Sequence, residues 1–312
     1  MSAPPLSRRH SSLYFPDGTL TLKAHDGTLY NVNRQLLVLK SELFAGMLTL
    51  PQPPPEALSP TLSQGSRGLI ERAAQAGLDG TTDETAVALP ETLSAEECEI
   101  FLEFVFNTLP WSQNPPPLER LCALLKTCDF FAVESGIRYA VHYLENHVDL
   151  GSARRYRLAR DYNIRHWAKM AFEELMVQSV LTLEEEDEQD LGWNAYRVLV
   201  RTQAEVMQHK LCLAFFPVQP VHAPDCYSNE YCGRSWEENW VAASGPLGSL
   251  LRDQLSGKEL HDKLHDLSIP GMEPECRRRT VRIMQETPTE KSLLKAEEKY
   301  IEDAVQELIR QW

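Results

Sequence analysis

The chain has 312 residues, of which 43% are hydrophobic, and its 45 acidic against 31 basic residues give a formal net charge of −14. This length is enough to bury a core and predicts about two domains, while the net charge argues against binding to nucleic acids or to anionic membrane surfaces. The sequence shows neither a secretory signal nor an apolar run approaching the roughly 18 residues of a membrane span. We therefore expect an intracellular protein, cytoplasmic or nuclear, whose seven scattered cysteines are reduced thiols.

The first predicted element is a β-hairpin. Residues 1–12 are polar and are expected to form a flexible N-terminal arm. Apolar and polar residues then alternate on both sides of Asp26-Gly27, a pair that suits a turn with two positive φ angles. The pattern predicts a hairpin over residues 18–32.

Two short helices are predicted after the hairpin, over residues 33–38 and 41–48. Apolar residues recur there at helical spacing, and Ser41 can cap the second helix at its N-terminus. Residues 51–85 differ in composition, because prolines and turn residues replace the apolar periodicity. We expect this proline-rich segment to be a surface insertion.

A short strand over residues 86–90 is expected to complete a three-stranded sheet. A capping box formed by Ser94 and Glu97 indicates the start of the next helix. Because so small a sheet is not stable alone, helices must cover it. Residues 13–148 are therefore predicted to form an α+β domain with a small sheet capped by helices. The helices after the sheet are predicted over residues 94–106, 118–128 and 134–147.

This order of elements, together with its local motifs, resembles the BTB/POZ domain. The residues that carry the resemblance are Asp17, Asn33, Arg34, Ser41, Phe44 and Met47. The last three form a Ser-x-x-Phe-x-x-Met helix, and the Asn-Arg pair stands where the family usually has His-Arg. The amino-acid sequence of this region is also similar to that of BTB domain-containing proteins of mushroom-forming fungi.

The resemblance implies a protein–protein interaction module without catalysis. Such a module forms a homodimer through its BTB-like domain or binds a protein partner. The alternative is a substrate adaptor of a cullin-type ubiquitin ligase, which would make contact through the helices at 41–48 and 94–106 and the loop 107–117. Trp111 in that proline-rich loop is either part of the core or an exposed anchor, and it joins the six motif residues as a candidate interaction residue.

Residues 149–312 are predicted to form an all-helical second domain, which contains one group of potential metal ligands. These residues are Cys212, His222, Cys226 and Cys232. Structural zinc sites usually draw their ligands in close pairs such as C-x₂₋₄-C, whereas Cys226 and Cys232 are six residues apart. We therefore predict neither a metal nor a cofactor, with buried thiols and a solvated histidine as the ordinary interpretation. A structural zinc site in these four residues is the alternative.

Enzymatic activity is not predicted. The sequence has no G-x-S-x-G nucleophile elbow and no glycine-rich phosphate loop of the G-x-G-x-x-G or G-x-x-x-x-G-K-[ST] type. Single Cys, His and Asp residues occur throughout the chain, but their spacing does not identify a catalytic group.

Overall fold

The computed structural model consists of two compact units, Met1–Leu150 and Gly151–Trp312. The sequence places this boundary two residues earlier, after residue 148. The first unit combines a small sheet with helices, and the second is helical in its described part. The structure describes residues 7–49, 80–107, 116–216, 218–242, 245–251, 255–286 and 293–312.

The sheet of the N-terminal unit has four strands in its described part, in the order β1-β3-β2-β4. Strands β2 and β3 are antiparallel, whereas β1 pairs with β3 and β4 pairs with β2 in parallel. This corrects the expected three-stranded sheet, because one strand lies ahead of the hairpin. The strands are β1 (Arg8–Tyr14), β2 (Leu20–Lys23), β3 (Thr28–Val32) and β4 (Val87–Ala88).

Strand β1 also corrects the prediction of a flexible arm for residues 8–12, whereas residues 1–6 of the predicted arm lie outside the described part of the chain. Its side chains are mostly exposed, so the strand has no apolar alternation, and only Leu13 is buried. The strand is held by its backbone, since the Arg8 N–H donates to the Gly27 carbonyl at 3.1 Å. An ion pair between Arg9 and Asp83 at 2.8 Å adds a contact from a segment far away in sequence.

The hairpin forms where the alternation predicts it, but its turn differs from the expected type. Gly27 has φ 87°, whereas Asp26 does not have a positive φ. Instead, the Asp26 carboxylate accepts hydrogen bonds from the backbone N–H and the hydroxyl of Thr28, both at 2.9 Å. A turn with one left-handed glycine before the return strand therefore closes the hairpin.

Helices cover the sheet and complete the α+β unit. The capping box at Ser94 and Glu97 forms as predicted, with the Glu97 N–H donating to the Ser94 hydroxyl at 3.1 Å. The apolar core includes Leu20, Leu22 and Phe101, which are buried. The helices are α1 (Arg34–Lys40), α2 (Glu42–Thr49), α3 (Ala95–Phe106), α4 (Leu118–Phe130) and α5 (Glu134–Glu145).

The end of the predicted insertion belongs to the sheet unit. Residues 51–79 lie outside the described part of the chain, but residues 80–85 form a turn beside β2. The Thr21 N–H donates to the Gly80 carbonyl at 2.6 Å, and Asp83 accepts from the Tyr14 hydroxyl at 2.7 Å. The predicted surface insertion of 51–85 therefore extends too far, because its last residues pack against strands.

The C-terminal unit is built of helices, and the longest of them is bent at Gly192, where φ is 70° and ψ is 161°. A capping box formed by Glu184 and Asp187 starts that helix. No helix within the described segments combines the length and apolarity needed to cross a membrane. The helices are α6 (Ser152–Asp161), α7 (Arg165–Val177), α8 (Glu185–Phe215), α9 (Asn229–Val241), α10 (Pro246–Leu251), α11 (Gly257–Asp266), α12 (Pro274–Glu286) and α13 (Leu293–Ile309).

Two apolar clusters fill the C-terminal unit. The first joins α6, α7, the first half of α8 and α13 around Phe172 and Leu199. The second joins the end of α8, α9, α11 and α12 around Trp236 and Trp240. The indole N–H groups of these tryptophans donate to the carbonyls of Val218 and Ala214, both at 3.0 Å, and so connect α9 to the end of α8 and the chain after it.

Candidate interaction surface and cysteine–histidine cluster

Two of the candidate interaction residues, Ser41 and Phe44, are buried inside the N-terminal unit. The Ser41 hydroxyl donates to the Phe131 carbonyl at 2.5 Å and accepts from the Phe44 N–H at 3.1 Å, which caps α2. The Phe44 ring stacks on the Phe131 ring at 5.2 Å between centroids. These residues position α2 against the core, so they are not available to touch a partner.

Asn33 and Arg34 shape the start of α1. The side-chain oxygen of Asn33 accepts hydrogen bonds from the backbone N–H groups of Gln35 and Leu36, at 2.9 and 3.2 Å. Asn33 is thus the N-cap of α1. The Arg34 N–H donates to the Thr19 hydroxyl at 3.0 Å, and the exposed Asp17 lies in the turn before that residue.

Helix α1 carries two exposed apolar side chains. Leu39 is 79% exposed and Leu36 is 39% exposed, and their spacing of three residues places them on one side of the helix. Met47 on the adjacent α2 is half-buried. We call Leu36 and Leu39 the α1 face. Trp111 lies outside the described residues.

A second candidate site lies in the C-terminal unit, where three cysteines and a histidine converge. One potential ligand atom from each of His222, Cys226, Cys232 and Cys276 lies within 4.8 Å of those of the other three. The Cys226 Sγ is 3.7 Å from the His222 Nδ1. We call these four residues the Cys/His cluster.

The local fold brings the Cys/His cluster together from three separate segments. His222 and Cys226 lie in the loop before α9, Cys232 lies in the first turns of α9, and Cys276 lies in the first turn of α12. Cys232 and Cys276 are buried, with 2% and 0% exposure. The backbone N–H of Ala223 donates to the Cys276 Sγ at 3.1 Å, which joins the loop to α12.

The structural cluster differs from the sequence grouping by one residue. Cys212 is exposed on α8 and is not one of the four converging ligands. Cys276 takes the fourth position. Its 44-residue separation from Cys232 leaves no local motif, so no sequence pattern identifies it as a ligand.

Burial shifts the protonation of several thiols toward the neutral form. It raises the pKa of Cys98 and Cys128 in the N-terminal unit to about 12, because a thiolate would be desolvated there. Burial is also the main cause that raises the pKa of Cys232 to about 11. All seven cysteines are free thiols.

The comparisons with known proteins leave the family open. No protein-family model matches the chain, and neither a curated protein nor a solved structure matches it.

Proposed function

We propose that this protein is an interaction module that forms a homodimer through its N-terminal unit. The observation that carries the proposal is the α1 face, where Leu39 is 79% exposed. Burying a leucine side chain that water would otherwise contact contributes about 1.5–3 kcal/mol. A two-fold interface uses the same patch on both copies, so each leucine contributes twice. The resemblance of residues 13–148 to the BTB/POZ domain supports the same proposal, because it implies self-association.

The motif residues have separate roles in this proposal. Ser41 and Phe44 are buried and hold α2 in place, whereas Leu36 and Leu39 point to the surface that a second copy covers. The dimer therefore depends on α1 for contact and on the start of α2 for the shape of that contact.

The test is light scattering of the full chain over a range of micromolar concentrations. Wild-type protein should be dimeric, and the double variant Leu36→Glu/Leu39→Glu should be monomeric with an unchanged melting temperature. Val148→Glu is the matched control, because Val148 is 94% exposed in the same unit and lies outside the α1 face. A monomeric wild type, or a double variant that remains dimeric, contradicts the proposal.

The alternative function is that of a cullin-type adaptor. In that case α2 would offer Glu42, Leu43 and Met47 for contact, since Ser41 and Phe44 are buried. Met47→Glu would then abolish co-purification with a cullin, while Leu36→Glu/Leu39→Glu would leave it intact. Wild-type protein that is dimeric and co-purifies with no cullin supports the homodimer.

A further inference from the structure

We propose that the Cys/His cluster binds one zinc ion that has a structural role in the C-terminal unit. Three cysteines and one histidine are a ligand set that structural zinc sites use. The cluster supplies four potential protein ligands, three of them from residues 222–232 and the fourth from Cys276, which the fold brings to the same place.

The geometry fits a tetrahedral ion. Zinc binds cysteine sulfur at about 2.3 Å and histidine nitrogen at about 2.0–2.1 Å, so the ligand atoms of a tetrahedral site lie roughly 3.5–3.8 Å apart. The 3.7 Å between Cys226 Sγ and His222 Nδ1 already matches this separation. The upper limit of 4.8 Å across the whole cluster requires movements of about an ångström, which side-chain rotation supplies.

The surroundings position the cysteine ligands. Cys232 and Cys276 lie in the first turns of α9 and α12, so the starts of two helices hold these side chains, and zinc would displace the thiol protons when it binds. The N–H of Ala223 donates to the Cys276 Sγ, which is the kind of hydrogen bond that orients a metal ligand and disperses its charge.

Four protein ligands leave a tetrahedral ion without an open position, so the ion has a structural rather than a catalytic role. It would fix the loop that carries His222 and Cys226 to the starts of two helices. The same region contains the apolar cluster around Trp236 and Trp240, to which Cys232 and Cys276 belong. Zinc binding is therefore coupled to the packing of this part of the unit.

The test is the zinc content of the full chain, measured by elemental analysis after purification from zinc-supplemented cells. Wild-type protein should hold one zinc ion per chain, and Cys276→Ser should lose it. Cys212→Ser is the matched control, because it removes an exposed thiol outside the cluster and should retain the full zinc content. Equal zinc loss in both variants, or wild-type protein that holds no zinc and binds none in a titration, overturns the proposal.

A second pair of variants covers the case in which Cys276→Ser does not fold. His222→Cys keeps four ligands and should retain zinc, whereas His222→Ala removes a ligand from a half-buried loop position and should lower the affinity by more than the roughly 10–100-fold that loss of an outer-shell partner costs. Competition with a chromogenic chelator measures both affinities. Equal affinities for His222→Ala and wild type would overturn the role of His222 in the site.

Discussion

The backbone N–H of Ala223 donates a hydrogen bond to the Sγ of Cys276 at 3.1 Å, across 53 residues of sequence. This contact connects the loop before α9 to the first turn of α12. The sulfur of Cys276 therefore helps to hold the loop against α12. The proposed zinc ion would strengthen the same connection between the loop and α12.

Removal of the metal should loosen this connection and leave the N-terminal unit unchanged. A chelator should therefore increase hydrogen exchange in peptides that cover 218–242 and 274–286, because zinc binding contributes directly to folding in such sites. Exchange in residues 20–32 of the sheet serves as the internal control. Unchanged exchange around the Cys/His cluster in zinc-free protein would show that the ion contributes nothing to folding there.

Loss of the Ser41 hydroxyl should destabilise the N-terminal unit. Ser41→Ala leaves the Phe44 N–H without its cap and the buried Phe131 carbonyl without its donor, which should cost about 1–3 kcal/mol. Ser94→Ala is the comparison, since Ser94 is an exposed N-cap and should cost only about 1 kcal/mol. Urea denaturation, monitored by hydrogen exchange of the β2 and β3 amides, measures the stability of both variants. Equal stability of Ser41→Ala and wild type would contradict the capping role.

Phe44 and Met47 lie one helical turn apart, but truncating them should have different effects. Phe44 is buried and stacked on Phe131, so Phe44→Ala should cost about 3–5 kcal/mol. Met47 is half-buried, so Met47→Ala should cost much less. Comparable losses in thermal or urea denaturation would mean that both side chains have the same environment.

The stability of the N-terminal unit should depend on pH through Asp83. The pKa of Asp83 is lower than its usual value because the carboxylate accepts hydrogen bonds from the Tyr14 hydroxyl and the Arg9 guanidinium. These hydrogen bonds outweigh the effect of burial, which raises the pKa. Because the folded pKa is lower than the unfolded one, this stabilisation is present above about pH 4 and is lost as the pH falls through the folded pKa.

Asp83→Asn should therefore be less stable than wild type near neutral pH, and the difference should shrink on acidification. Tyr14→Phe removes one of the donors and should reduce the same pH-dependent difference in part. The free energy of unfolding from urea titrations at several pH values provides the measurement. A difference that stays constant down to about pH 3 would contradict this account.

Sequence patterns predicted those elements whose signals are local. The alternation around Asp26 and Gly27 identified the hairpin, and the Ser94 capping box identified the start of α3. Strand β1 was missed because Arg8–Tyr14 is mostly polar and is held by parallel pairing with β3. Because backbone hydrogen bonds hold this strand in the sheet, its sequence needs no alternation of apolar and polar residues.

The two candidate sites were harder to predict from the sequence, because tertiary contacts decide which residues they contain. Ser41 and Phe44 belong to a motif that suggests contact, yet Phe131, which is distant in sequence, buries both of them. Cys276 joins the Cys/His cluster only because the fold brings the start of α12 close to the start of α9 in one apolar core. Periodicity and spacing carry no information on such long-range neighbours.

The most direct test of the zinc site is X-ray absorption at the zinc edge of the purified full chain. The proposal predicts a four-coordinate ion with three sulfur ligands at about 2.3 Å and one nitrogen ligand at about 2.0–2.1 Å. The sulfur count should fall in Cys226→Ser and remain at three in Cys212→Ser. A first shell made only of oxygen and nitrogen, or a sulfur count that Cys212→Ser lowers, would contradict a site formed by His222, Cys226, Cys232 and Cys276.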